Sequence, residues 1–189
     1  GARGLGVELD ANLVQVSRLR AAEEGVADRT RFVEGDMFEA DISKATVMAL
    51  FLLPSNLLQL RPKFLALEPG SRIVSNTFLI QDWTPDATAS VDGPCETWCE
   101  AILWVVPARA EGTWRFRGGT LALTQTYQMV SGTLTIDGQS TAVSGRLRGE
   151  ALALTGGGLD SSARVSGDRL ELTSGSGVTR PTRTARRTR

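Results

Sequence analysis

Two short apolar runs, Leu5-Gly6-Val7-Glu8-Leu9-Asp10 and Arg31-Phe32-Val33-Glu34-Gly35-Asp36, each finish on carboxylates and enclose one helix-forming segment. Apolar runs of this length, closed by Gly or Asp, read as buried strands. Asp10 is placed to cap a helix reaching about Glu24, with Leu13, Val16, Leu19 and Arg20 at helical spacing and Gly25 as its stop. Strand, helix, strand in that order predicts a parallel pair joined by a right-handed crossover. Open α/β sheets bind nucleotide-like ligands beyond the carboxyl ends of such strands, which is where Glu8 and Asp36 fall.

The same rhythm continues downstream. Thr46 to Leu53 is apolar on both faces, as a central parallel strand is. Pro54-Ser55-Asn56 then starts a helix carrying Leu57, Leu60, Phe64, Leu65 and Leu67, and Glu68-Pro69-Gly70 ends it. Ser71 to Phe78 is the fourth strand. The expectation is an α/β fold with a partial Rossmann-like parallel sheet. Residues 79–97, with Pro85 and Pro94 and little periodicity, read as a long loop, and Ala101 to Val106 as a further apolar strand.

From about Gly112 the pattern is β alone. Trp114-Arg115-Phe116, Thr120 to Gln125 and Gly132 to Ile136 are short alternating runs, and Asp137-Gly138 is a hairpin turn signal. Gly145 to Leu154 repeats weakly as Ala163 to Leu172, each copy having the form strand, Gly-acidic turn, strand. Consecutive hairpins of a small antiparallel β region are expected. The predicted division is residues 1–108, an α/β domain entered partway; 109–173, the β domain; and 174–189, a disordered basic tail.

Composition removes several function classes. Among 189 residues there is no histidine, which excludes His-based triads, His metal sites and His general bases. Cys95 and Cys99, with no second pair, do not make a zinc site, so no metal is expected. They are expected to be free thiols of a cytoplasmic protein. No apolar run approaches the roughly 20 residues of a membrane-spanning helix, so no membrane partner is expected. Net charge is zero, although Arg180, Arg183, Arg186, Arg187 and Arg189 crowd the end. Beside Thr, Pro, Ser and Gly, without aromatics, these arginines read as a solvated tail, which argues against nucleic acid as a partner. Trp98 and Trp104 are expected in the core, Trp114, Phe116 and Tyr127 facing the core of the β region, and Arg115, Arg117, Arg146 and Arg148 on its solvated face.

The order Gly-Val-Glu-Leu-Asp, then Phe-Val-Glu-Gly-Asp-Met-Phe, then an apolar strand into Leu53-Pro54-Ser55, then Glu68-Pro69-Gly70-Ser71-Arg72-Ile73-Val74-Ser75, resembles the class I S-adenosylmethionine-dependent methyltransferases over residues 1 to about 86. Ser75-Asn76-Thr77-Phe78 and Asp82-Trp83-Thr84-Pro85-Asp86 resemble, more narrowly, bacterial relatives of small protein-lysine methyltransferases. The resemblance implies S-adenosylmethionine as cofactor, Glu8 on the ribose hydroxyls and Asp36 on the adenine amine. It also implies Met37 beside the ring, and Leu50 to Asn56 bordering the methyl group. Ser55, Asn56, Asn76, Phe78, Asp82 and Trp83 are candidates for the substrate side, although Trp83 taken singly reads first as a loop anchor packing on the sheet edge and Asp82 equally as a turn cap. The catalytic residue is unassigned and the methyl acceptor, a small molecule or a protein, is open.

The physics agrees with these roles. Ribose hydroxyls are donors that a strand-end carboxylate accepts, and adenine needs one acceptor beside an apolar slot. The family's glycine-rich loop after its first strand has no counterpart here, because Gly1 to Gly6 precede a strand. The chain is therefore expected to be a fragment of a methyltransferase, weak in cofactor binding by itself. Two other readings remain: a non-catalytic binding protein acting through the β region, and a dinucleotide-dependent oxidoreductase, since a ribose-binding acid serves NAD as well.

Overall fold

A computed structural model describes residues 1–157, 159–174 and 183–188. The chain divides into two compact units, Gly1–Ile42 and Ser43–Arg189, each taken by itself below.

In the first unit, β1 (Gly4–Glu8) and β2 (Thr30–Glu34) pair in parallel, with Glu8 opposite Glu34. Between them runs α1 (Ala11–Glu23), capped by Asp10, whose carboxylate accepts the Asn12 N–H at 2.8 Å. Gly25, at φ 66°, turns the chain out of the helix in the left-handed conformation glycine tolerates. Arg18 donates to the Phe32 carbonyl at 2.8 Å and fastens the helix to β2. The helix buries Val14 and Ala21, whereas the expected stripe of Leu13, Val16 and Leu19 is exposed. The seven-residue spacing of Val14 and Ala21 sets the packed face, and small side chains there let the helix lie close to the strands.

In the second unit, β3 (Val47–Leu50), α2 (Pro54–Leu65) and β4 (Arg72–Asn76) form a further parallel crossover. Leu57, Leu60 and Phe64 are its buried helical positions. β6 (Glu100–Val105) pairs antiparallel with β4, and β5 (Ala87–Ser90) antiparallel with β6, giving the order β3-β4-β6-β5. The expected single parallel sheet is thus present as two parallel pairs in separate sheets, the second of them mixed. In a doubly wound sheet of order 3-2-1-4-5 the first strand joins the two halves, and these residues supply no such strand. β5 also corrects the loop expected over 79–97: its Ala-Thr-Ala-Ser side chains are all exposed and carry no hydrophobic period, so its backbone pairing alone defines it.

The β region is larger than the small open sheet expected. β7 (Gly112–Phe116), β8 (Gly119–Thr126), β9 (Met129–Ile136), β10 (Gln139–Arg148), β11 (Ala151–Gly156), β12 (Leu159–Ser166), β13 (Arg169–Ser174) and β14 (Arg183–Arg187) close an eight-stranded antiparallel barrel. The repeated segments are the β10–β11 and β12–β13 hairpins. Asp137 and Gly138, at φ 49° and 82°, make the expected primed turn. Alternate residues, among them Trp114, Leu121, Leu147, Leu152, Val165 and Leu170, fill the barrel, as side chains do at this strand number.

The disordered tail expected over 174–189 is corrected where it can be seen: Arg183–Arg187 pairs with β13 on one side and β7 on the other. Residues 175–182 and Arg189 lie outside the described residues. Arg187 spreads its guanidinium over the Trp114 ring at 4.6 Å and donates to the Arg109 carbonyl, so this arginine serves the barrel. The cysteine expectation is corrected too, since Cys95 and Cys99 are disulfide-bonded. No helix of the described residues is long and apolar enough to cross a membrane.

Candidate functional site

Glu8 ends β1 and Asp36 follows the end of β2 by two residues. The parallel register therefore brings both carboxylates to one edge of the first unit. Gly35 N–H donates to the Glu8 carbonyl at 3.0 Å and ties the two strand ends together. Glu8 is half-buried; its Oε1 accepts the Asp10 N–H at 3.0 Å. Asp36 is exposed, and its Oδ1 accepts the Phe38 N–H at 2.8 Å while its carbonyl accepts from Glu39 and Ala40. These local bonds fix both side chains in place. A carboxylate offers about four lone-pair sites, so each retains accepting capacity for a ligand's hydroxyl or amine. Met37 and Phe38, both half-buried beside Asp36, supply apolar surface for a ring. The residues present fit the nucleoside half of S-adenosylmethionine.

In the second unit the substrate-side candidates separate into two groups. Leu50 ends β3, Asn76 ends β4, and Ser55 and Asn56 lie in the first turn of α2. Leu50, Asn56 and Asn76 are half-buried and Ser55 is exposed. Asn76 donates from Nδ2 to the Trp98 carbonyl at 3.1 Å and accepts the Thr77 hydroxyl at 2.9 Å, so its amide orders the neighbouring loop. Trp83 does not face an open surface: it is 1% exposed and stacked on Tyr127 at 5.6 Å. Its carbonyl accepts the Trp104 indole N–H at 2.8 Å. That is a loop anchor, and the substrate-side placement of Trp83 is corrected. Asp82, at φ 63°, is exposed and lies 3.9 Å from Arg61.

Sequence reasoning offered Phe78 and the segment holding Phe51, but missed that both rings meet Trp98 in one aromatic cluster. Phe51 follows β3, Phe78 follows β4, and Trp98 precedes β6, which runs antiparallel to β4. All three therefore gather at the edge where β3 and β4 end. Phe51 and Trp98 meet at 5.0 Å with their planes 79° apart, and Phe78 lies 6.1 Å from Phe51 and 5.5 Å from Trp98. Trp98, expected in the core, is 51% exposed, and Phe51 is 58% exposed. Hydrophobicity alone sends a tryptophan inward. The contrary signal is Cys95 and Cys99 bracketing Trp98, a closed loop too short to bury it.

Charge along the segment that carries Phe78 and Trp98 is one-sided. From Ile73 to Ala108 there is no Lys or Arg, while Asp82, Asp86, Asp92, Glu96 and Glu100 are acidic. Among the described residues Asp92, Glu96 and Glu100 carry no ion pair, whereas Asp86 is bound by Arg146 at 2.7 Å.

Comparison with known proteins defines the class: the chain belongs to the S-adenosylmethionine-dependent methyltransferases. Within that class, residues 1–87 match the ANTKMT methyltransferase domain family. A protein-lysine N-methyltransferase of Saccharolobus islandicus is 36% identical over 48% of this chain and 56% of its own length. A human lysine N-methyltransferase, named for a component of the ATP synthase, is 34% identical over 46% of this chain and 37% of its own. A solved structure described as an RNA methyltransferase from Salinibacter ruber, in complex with S-adenosyl-L-homocysteine, is 44% identical with a TM-score of 0.53. That likeness covers 58% of this chain and 69% of that one. The chain spans 56% of the first of these curated relatives and about two fifths or less of the others. The cofactor of the class is S-adenosylmethionine.

Proposed function

We propose that the whole protein transfers a methyl group from S-adenosylmethionine to the side-chain amine of a protein lysine. The observation that carries the reading is the Glu8–Asp36 pair on one strand-end edge, with Met37 and Phe38 beside Asp36. Glu8 holds the ribose hydroxyls, Asp36 the adenine amine, and Met37 the ring face, while Leu50 borders the methyl group. Ser55, Asn56 and Asn76 stand on the substrate side. The cofactor supplies an electrophilic methyl on sulfur. A lysine ammonium that has released its proton to solvent would accept that methyl as a neutral amine, with the C–S electron pair left on sulfur. The protein's part is positioning and exclusion of water.

The lysine acceptor rests on the names of the curated relatives together with the acidic character of residues 73–108, which suits a cationic side chain. The name of the Salinibacter structure favours a second reading, an RNA acceptor. A surface that binds nucleic acid is expected to be basic, and this stretch is the reverse. The division at residue 108, with methyl transfer before it and the β region after, is part of the same proposal. So is a cytoplasmic location, in which the Cys95–Cys99 bond would be exposed to reducing thiols.

The test is a calorimetric titration of the full-length gene product with S-adenosylhomocysteine, with Glu8→Ala and Asp36→Ala beside it. Each removed charge-assisted hydrogen bond is expected to weaken binding about 10- to 100-fold. Unchanged affinity in both variants would sink the site assignment. Labelled methyl transfer to lysine-containing protein fractions, and not to RNA, is the expected acceptor result.

A further inference from the structure

We propose that Phe51, Phe78 and Trp98 form the seat for the acceptor's ammonium group, receiving a lysine side chain and its methylated forms. This rests on the lysine reading above and deepens it. Aromatic faces attract a cation within about 6 Å of the ring centroid, and the attraction grows when several rings share one cation. Here the three rings pack on one another with centroids 5.0 to 6.1 Å apart, so the cation is received on the open outer faces of the cluster and not between the rings. Phe51 and Trp98 stand almost perpendicular, so they make two walls of a corner, and each still has about half its surface open.

The surroundings favour a cation over a neutral apolar partner. The loop that carries Trp98 also carries Asp92 and Glu96, and Glu100 opens β6 just after it; all three are exposed, and among the described residues none has an ion pair. No competing Lys or Arg occurs from Ile73 to Ala108. The cluster is also held in advance of any ligand. Asn76 donates to the Trp98 carbonyl and Thr77 N–H donates to the Glu100 carbonyl at 2.8 Å, and the Cys95–Cys99 bond, in the oxidised protein, closes the loop around Trp98 as well. A ring fixed before binding loses little freedom when the ligand arrives. The position at the ends of β3 and β4 is the edge at which α/β sheets take their ligands.

The four tryptophans provide the readout. Trp83, Trp104 and Trp114 are 1% exposed or less, so external quenching and ligand-induced emission changes report on Trp98. The probe is Nα-acetyl-Nε-trimethyl-lysine amide, titrated into the full-length protein against its neutral isostere, in which carbon replaces the Nε atom. The cation is expected to bind about fivefold or more tightly than the isostere. Phe51→Leu, which leaves the Trp98 signal in place, is expected to abolish that preference. Trp98→Leu is expected to do the same when followed by calorimetry.

Equal binding of cation and isostere overturns the proposal, as does an intact preference in both variants. Stronger quenching by a single-stranded oligonucleotide than by the cation also overturns it, in favour of base stacking. S-adenosylhomocysteine affinity, measured in parallel, separates the two failures. Its absence from the wild-type protein refutes the methyltransferase reading alone. Its retention without cation preference refutes the aromatic seat alone.

Discussion

Asp86 shows how single side chains hold this molecule in shape. Its carboxylate is 3% exposed, accepts the Val105 N–H at 2.7 Å through Oδ2, and binds Arg146 at 2.7 Å through Oδ1. Val105 belongs to β6 and Arg146 to β10, so one residue joins the mixed sheet to the barrel within the second unit. Arg146, expected on a solvated face, is corrected: its side chain is 41% exposed, and its guanidinium turns in to this buried carboxylate and to the Pro85 carbonyl. Asp86→Ala removes two charge-assisted bonds and leaves the Val105 N–H unmet. The expected loss is about 2–4 kcal/mol, read as a fall in the urea midpoint. Asp86→Asn keeps an acceptor for Val105 and is expected to lose about half as much. Gly132 is another such position. A Cβ there would lie 1.8 Å from the Ala122 carbonyl oxygen across the β8–β9 pair. Gly132→Ala is expected to fall among the rare substitutions costing more than about 4 kcal/mol, and circular dichroism of the soluble fraction would show it.

At the scale of elements, the barrel depends on its Arg-rich final strand. β14 hydrogen-bonds to β13 and β7, and Arg187 covers Trp114, which is fully buried. Arg187→Ala is expected to lower stability by about 1–2 kcal/mol, since a partly desolvated cation–π contact is lost together with the hydrogen bond to the Arg109 carbonyl. Deleting residues 175–189 removes the whole strand. The fraction of tryptophan emission quenched by acrylamide is then expected to rise as Trp114 becomes accessible, and unfolding to lose its cooperativity. An unchanged quenched fraction would mean that Trp114 is shielded without β14. This strand was hidden in the sequence for a physical reason. Among its residues with described side chains only Ala185 is buried, and arginines flank it, so composition points to solvent while the strand is held between β13 and the sequence-distant β7. By contrast, α1 with its Asp10 cap and the Asp137-Gly138 turn were legible because their determinants are local. Glu8 and Asp36 were legible for the same reason: each closes its own short apolar run. Trp98 was not, because its place depends on a disulfide and on Asn76, which a reading by hydrophobicity does not weigh.

Taken whole, the second unit is one body in which the barrel braces the loop after β4. Trp83 stacks on Tyr127, Gln128 donates to the Thr84 carbonyl, and Ala108 N–H donates to the Gly149 carbonyl. Gly149 approaches Gly70 so closely that a Cβ on it would lie 3.1 Å from the Gly70 Cα. The stretch from Ile80 to Asp86 is thereby fixed at its far end, while Phe78 and Trp98 are left toward solvent. Reduction of the Cys95–Cys99 bond is expected to loosen Trp98 without unfolding the barrel. Its emission should become more quenchable by acrylamide after treatment with a phosphine reductant, with the urea midpoint unchanged. A coincident loss of both signals would place the disulfide in the global fold.

Closure of the barrel by β14 also bears on how the protein is made. Trp114 in β7 pairs with Arg187, so the barrel cannot shut until Arg187 has left the ribosome. Until then β7 and β13 present bare strand edges, which recruit strands from other chains. Pausing during translation of the arginine-rich segment, or a premature stop ahead of it, would therefore prolong exposure of both edges. Yield of soluble protein should depend on the codons after residue 174 more than on any comparable stretch upstream.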